Sequence, residues 1–200
     1  MSRSSPSSFP GRVPARRGIL VAALCLFAGA LAQAADSSAD ERMLLAESQA
    51  SVGATVWGIV SYTRWPVQPE VLQVCIAGHS AHAEAIRRTA DWIGAERLSV
   101  VRQLEPGDNP AACDLLYVGE VAPAARTRLL GQLTGAPVLT IGEGASFCSA
   151  GGMFCLDQDN AASPAAGVRF SANLDAISRS GLRVNPQVLR LSRQLRGAGS

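Results

Sequence analysis

Four short apolar runs constrain this 200-residue chain more than any other feature: 71–77 (VLQVCIA), 98–104 (LSVVRQL), 114–118 (DLLYV) and 137–141 (PVLTI). Each has the length and composition of a strand. Gly78 closes the first run, and Ser80 is placed to cap a helix that runs through Trp92 before the break at Gly94. A second helical stretch, 122–133, lies between the third and fourth runs. Strand–helix–strand alternation predicts an α/β domain with a largely parallel central sheet flanked by helices. Parallel neighbours need a crossover, and the helices supply it.

Upstream, Leu45, Val52, Val56, Ile59 and Thr63 recur at three-, four- and seven-residue steps, which predicts a long helix over 40–63 with one apolar face. Pro66 cannot continue it, and Trp65 before the proline is pushed to an extended conformation. Trp57 and Tyr62 lie off that stripe and are read as packing against the sheet. After Ile141 the pattern changes. Cys148 and Cys155 flank Ser149-Ala150-Gly151-Gly152, which reads as a cysteine-clamped hairpin or loop. A short strand over 168–171 and helices over 173–179 and 186–195, separated by Ser180-Gly181, complete the expectation. The segment 169–200 holds six arginines and one acid, Asp175, a composition that suits a solvated helix face.

The N-terminus places the chain in a compartment. Arg3, Arg12, Arg16 and Arg17 precede the fourteen-residue apolar run 18–31, and Ala32-Gln33-Ala34 offers small residues to a signal peptidase. The run is short for a membrane span, which needs roughly 20 residues. Residues 1–34 are therefore read as a cleaved signal peptide and 35–200 as one α/β domain. Arg16-Arg17 resembles a twin-arginine signal, but an ordinary basic head suits a chain that is exported unfolded and oxidised afterwards. Leu24 before Cys25 is too large for a lipoprotein processing site. Four of the 18 basic residues leave with the signal, so the exported part carries 14 basic against 16 acidic residues, and that balance does not call for nucleic acid. Every basic residue is arginine, which removes Schiff-base and P-loop lysine chemistry.

Four cysteines remain after export: Cys75, Cys113, Cys148 and Cys155. Four cysteines allow three pairings. Cys75 lies inside the first strand and Cys113 directly precedes the third, so neighbouring strands would bring them together. Cys148 and Cys155 straddle one turn. The expected bridges are Cys75–Cys113 and Cys148–Cys155. No C-x-x-C is present, which favours structural bonds over redox-active ones.

Catalytic chemistry is hard to assemble from what remains. The two histidines are His79 and His82, with Glu84 nearby, and two ligands at a helix start make a poor metal site. No G-x-S-x-G elbow accompanies them. Asp157 and Asp159 alternate around an expected turn, where hydration is the simpler reading. Gly142-Glu143-Gly144 lacks the strand–G-x-G-x-x-G–helix context of a dinucleotide site. The Gly78–Ser80 junction could offer backbone N–H groups to an anion, a feature shared by α/β folds in general. The expectation is a non-enzymatic protein without metal or cofactor. A small-molecule binder with its pocket at Gly78–Ser80 and the strand ends is the rival.

Several pieces, in order, carry a resemblance: Gly58-Ile-Val-Ser-Tyr-Thr-Arg-Trp-Pro66, Leu72-Gln-Val-Cys-Ile-Ala-Gly78, Cys113-Asp-Leu-Leu-Tyr-Val-Gly119, and Phe147-Cys148 with Phe154-Cys155 around a glycine turn. Val168-Arg-Phe-Ser-Ala-Asn-Leu-Asp175, Ser180-Gly-Leu-Arg-Val184 and Leu189-Arg-Leu191 follow. Together they resemble the YfiR family of periplasmic proteins over most of residues 40–195. The resemblance implies an α/β domain, often dimeric, without enzymatic activity, and its cysteine pairing agrees with the one above. It implies repression of an inner-membrane diguanylate cyclase through the cyclase's periplasmic sensor domain. A peptidoglycan-associated outer-membrane lipoprotein relieves that repression by capturing the repressor. Family members also occur beside sensor kinases, so a kinase accessory role stands as an alternative. For the contact surface, Met153 and Phe154 beside the clamped turn are either tucked into the core or presented to a partner. Presentation is the expectation taken here, with Arg183 and Arg190 of the basic segment as the next candidates.

The pairing makes a ranked prediction. Mass spectrometry of the exported, unreduced protein should find the two expected cross-links. Loop-closure entropy assigns about 4 kcal/mol to the longer loop and about 2.5 kcal/mol to the shorter. Replacing Cys75 and Cys113 together should therefore lower the melting temperature more than replacing Cys148 and Cys155. The reverse order would contradict the ranking.

Overall fold

Side chains alternate across a strand, so runs that are apolar at consecutive positions must be covered on both faces. The computed structural model describes residues 51–93, 98–157 and 168–191, all within the unit Met43–Ser200, and it shows that arrangement. Helix α1 covers 51–61. Then follow β1 (Thr63–Arg64), β2 (Leu72–Ala77), α2 (Ala83–Ile93), β3 (Ser99–Gln103), a 3₁₀ turn (Pro110–Ala112) and β4 (Leu115–Val118). The chain continues through α3 (Pro123–Gln132), β5 (Leu139–Glu143), α4 (Ala145–Ser149) and β6 (Phe154–Leu156). Beyond them come β7 (Phe170–Ala172), α5 (Leu174–Arg179), β8 (Arg183–Val184) and a 3₁₀ turn over Pro186–Arg190.

Six strands form one sheet in the order β3-β2-β4-β5-β6-β7, parallel throughout except for β7. Leu72, Val74, Ile76, Leu115, Tyr117, Leu139, Ile141 and Phe154 face α1, α2 and α5 in the larger core cluster. Cys75, Ala77, Leu116, Val118 and Cys155 face α3 and α4 in the smaller one, with Leu130, Leu133 and Phe147. The α/β class, the mostly parallel sheet and the flanking helices are as the sequence predicts. Trp57 is buried, and its Nε1–H donates to the Ile86 carbonyl at 3.0 Å, which ties α1 to α2.

Three expectations need correction. The long helix does not run through Thr63: that residue opens β1, which pairs antiparallel with β8, while its buried hydroxyl donates to the Ile59 carbonyl at 2.9 Å. A β-branched residue followed by the extended Arg64-Trp65-Pro66 favours that early stop. Of the helix expected over 186–195, Pro186–Arg190 is a 3₁₀ turn entered through Asn185, whose side chain accepts from the Gln187 N–H, and 192–195 lie outside the described residues. Of the hairpin-or-loop reading for Cys148 to Cys155, the clamped loop is present over 150–153 and a hairpin is not. β5 and β6 are parallel, so the chain must cross over, and it does so through the single short helix α4. Leu45, Gly94, Asp159 and the signal segment lie outside the described residues.

That tight crossover depends on one aromatic plug. Phe147 is fully buried between Gly142 and Gly152. A Cβ on Gly142 would stand 2.5 Å from its ring, and one on Gly152 would stand 2.1 Å away. Both glycines are therefore required to seat the ring. Gly142→Ala or Gly152→Ala should destabilise the protein by about 1–3 kcal/mol, the range of an overpacked core. Gly131→Ala in α3, where a Cβ meets nothing within 4 Å, should be neutral or stabilising. Equal denaturation midpoints for the three variants would show that the plug is unimportant.

Candidate functional site

In open α/β sheets the crevice beyond the carboxyl ends of strands that wind in opposite directions is the usual ligand position. Here that point lies between β2 and β4, and backbone closes it. The His79 N–H donates to the Glu120 carbonyl at 3.2 Å, and the Glu120 N–H returns to the His79 carbonyl at 2.7 Å. A Cβ on Gly78 would fall 2.4 Å from the Glu120 carbonyl oxygen, and one on Gly119 would fall 2.3 Å from that of His79. The two loops cross in contact because both positions are glycine. A cavity of about 430 Å³ remains beside the bridge, lined in part by Ser80, Glu120, Arg126 and Glu143.

Ser80, Tyr117 and Glu143 are bound to one another there, and Arg126 Nη1 donates to the Ser146 hydroxyl at 2.8 Å. Glu143 Oε1 accepts from the Ser80 hydroxyl at 2.7 Å and from the Tyr117 hydroxyl at 2.9 Å. Ser80 Oγ accepts from the His82 N–H at 3.0 Å. Burial, then the charge of the Glu143 carboxylate and the hydrogen bond to it, push the Tyr117 phenol well above its usual range, so it stays a donor. Burial pushes the His82 imidazole below 6.5, with the Glu143 carboxylate partly opposing it. His82 Nδ1 is buried and makes no hydrogen bond among the described residues. The network staples the ends of β2, β4 and β5. The Ser80 hydroxyl donates to a carboxylate and not to an imidazole, which is not nucleophile geometry. A carboxylate also occupies the helix entrance where an external anion was considered, and its charge opposes a second one. Among the described residues, no three His, Cys, Asp or Glu side chains cluster as metal ligands do.

The cysteines pair as expected: Cys75–Cys113 with Cα atoms 6.0 Å apart and Cys148–Cys155 with Cα atoms 5.7 Å apart. The first joins β2 to the turn entering β4, and the second ties α4 to β6. The expectation that the clamped turn presents its apolar pair is corrected. Phe154 is fully buried, with its ring edge-on to Phe170 at 5.9 Å between centroids, and Met153 is buried beside it. Phe154 projects from the sheet face into the larger core cluster, so it could be shown to a partner only by unpacking that core. Nothing local in Gly151-Gly152 signals that a strand starts two residues later.

Arg183 and Arg190 stand differently. β1 and β8 form a separate two-stranded ribbon in which Arg64 lies opposite Arg183, and both are exposed, as is Arg190. Arg64 Nη1 donates to the Ser61 and Thr63 carbonyls at 2.8 and 2.9 Å. The ion pairs among the described residues are Arg102–Asp108, Arg169–Asp157 and Arg179–Asp175, so none neutralises this group. Val67, on the loop that follows the ribbon's first strand, is 85 % exposed. The basic segment thus divides: Arg169 and Arg179 are paired, and Arg183 and Arg190 are exposed with no ion pair among the described residues. Arg64, which sequence reasoning did not single out as a contact residue, joins them through the cross-strand register.

These features define a doubly wound α/β domain stapled by two disulfides, with a closed switch point and a basic flank. The model of the YfiR/HmsC-like family matches residues 49–193, and the chain belongs to that family. At the family level, membership supports a periplasmic regulator of diguanylate cyclase. The disulfides and the family together suggest the periplasm.

The state of His82 predicts a pH dependence. Its folded pKa is lowered, so below the unfolded value near 6.5 the unfolded chain binds more protons than the folded one. Stability should therefore fall as pH drops through 6.5 and level off only below the lowered folded pKa. Thermal melts at pH 8, 7, 6 and 5 should show that loss, and His82→Gln should flatten it. An unchanged slope in the variant would locate the acid sensitivity elsewhere.

Proposed function

We propose that this protein represses an inner-membrane diguanylate cyclase by binding the cyclase's periplasmic sensor domain, and so lowers cyclic-di-GMP signalling. The observation that carries this reading is the family match over residues 49–193. Residues 1–34 act as a signal peptide that is removed on export, and 35–200 form the working domain. The protein acts by binding, as a homodimer, and an outer-membrane peptidoglycan-associated lipoprotein competes for it. Repression is then a population shift: the repressor holds the sensor in the state it binds better. Moving a switch from 1:99 to 99:1 takes about 5.5 kcal/mol of differential affinity, within reach of one protein interface.

Arg64, Arg183 and Arg190 support a location for that interface. Their charges have no carboxylate partner among the described residues, so an acidic sensor surface would gain attraction without breaking an internal pair. Val67, three residues after Arg64, adds exposed apolar surface.

Deleting the gene should raise cyclic-di-GMP and biofilm formation, and the purified protein should bind the cyclase's sensor domain. Arg183→Glu combined with Arg190→Glu should weaken that binding at least about tenfold without moving the melting temperature, and wild-type binding should weaken with salt. An unchanged second-messenger level after deletion would overturn the repressor reading and favour a sensor-kinase partner. Full binding by the charge-reversed protein would move the interface away from the ribbon.

A further inference from the structure

The amino ends of β5 and β6, opposite the Glu143 network, enclose a second cavity of about 430 Å³. Its wall is built from Leu130 and Leu133 of α3, Met153 before β6, and Ala176 and Arg179 of α5. Among the described residues that line it, Arg179 is the one charged group; the others are apolar, glycine or hydroxyl-bearing. Small-molecule sites have this character: roughly 300–1,000 Å³, mostly apolar, with a few polar groups that orient the ligand.

The walls are preformed. The Met153 N–H donates to the buried Thr140 hydroxyl at 3.0 Å, and the Cys148–Cys155 bridge spans the same loop. A fixed wall lowers the ordering cost of binding, while the unbranched Met153 side chain can adapt to a ligand's outline. Among the described residues, Arg179 pairs with Asp175 one turn earlier, and the two side chains are 63 % and 68 % exposed. Such an exposed pair contributes about 0–1 kcal/mol, so a ligand carboxylate could replace Asp175 at little cost. Arginine binds carboxylates through two parallel N–H donors, which favours that exchange.

We propose that this cavity binds an amphipathic monocarboxylate, with its carboxylate on Arg179 and its apolar body against Leu130, Leu133 and Met153. Once a ligand carboxylate displaces Asp175 toward solvent, Arg179 is the charged group among the described lining residues, and it selects a single negative charge over a cation. This binding is a property of the chain alone, so it succeeds or fails independently of the cyclase reading.

Isothermal titration of the exported protein with octanoate tests it, with octylammonium and octanol as comparisons. Saturable one-to-one binding of octanoate is expected, with octylammonium at least about tenfold weaker. Arg179→Gln should reduce octanoate binding to the level of octanol, and Arg179→Lys should restore part of it. Thr127→Trp, at an exposed lining position of α3, should fill the space and abolish binding of both at an unchanged melting temperature. No saturable heat with octanoate, equal affinity for octanoate and octylammonium, or binding that survives both Arg179→Gln and Thr127→Trp would each overturn the proposal.

Discussion

The parallel pairing of β2 with β4 is the interaction on which the rest of the structure depends. Cys75, Ile76 and Ala77 lie opposite Leu116, Tyr117 and Val118, and these residues feed both core clusters. A parallel pair cannot be closed by a hairpin. The crossover helices cover both faces, α2 on one side and α3 and α4 on the other, and α1 and α5 pack on the α2 side. The Cys75–Cys113 bridge ties the amino end of this pair, and the His79–Glu120 backbone bridge closes its carboxyl end.

That closure bears on function. A nucleotide-binding sheet keeps its switch point open and lines it with glycine so that backbone can approach phosphate. Here Gly78 and Gly119 serve a different approach, of one loop to the other. The neighbouring hydroxyls and carboxylate satisfy each other, with Tyr117 kept protonated by burial and by Glu143. A buried polar network that is satisfied internally rigidifies a fold. On the small β1–β8 ribbon, Arg64 and Arg183 are exposed and have no ion pair among the described residues, so a protein surface could reach their charge.

The second disulfide closes the shortest crossover of the sheet. α4 has barely more than one turn, and a helix of that length has no stability of its own. Phe147 seated against two glycines, together with the Cys148–Cys155 link, supplies the packing that holds it. The same arrangement fixes Met153 at the wall of the α3–α5 cavity, so one local device shapes both the core and a surface recess.

The sequence by itself determined the α/β class, the parallel strands, the placement of β2 to β5 and both cysteine pairings. These rest on local periodicity and on which strands must be neighbours, and a chain carries both in order. It also carried the family, through short pieces spread from Gly58 to Leu191. Only the tertiary structure decided that Phe154 is core, that the glycine turn leads into a parallel strand, and that Arg64 stands beside Arg183. Burial depends on how many neighbours a strand acquires, and register across the ribbon joins residues far apart in the chain. Neither quantity is written in the spacing of nearby residues.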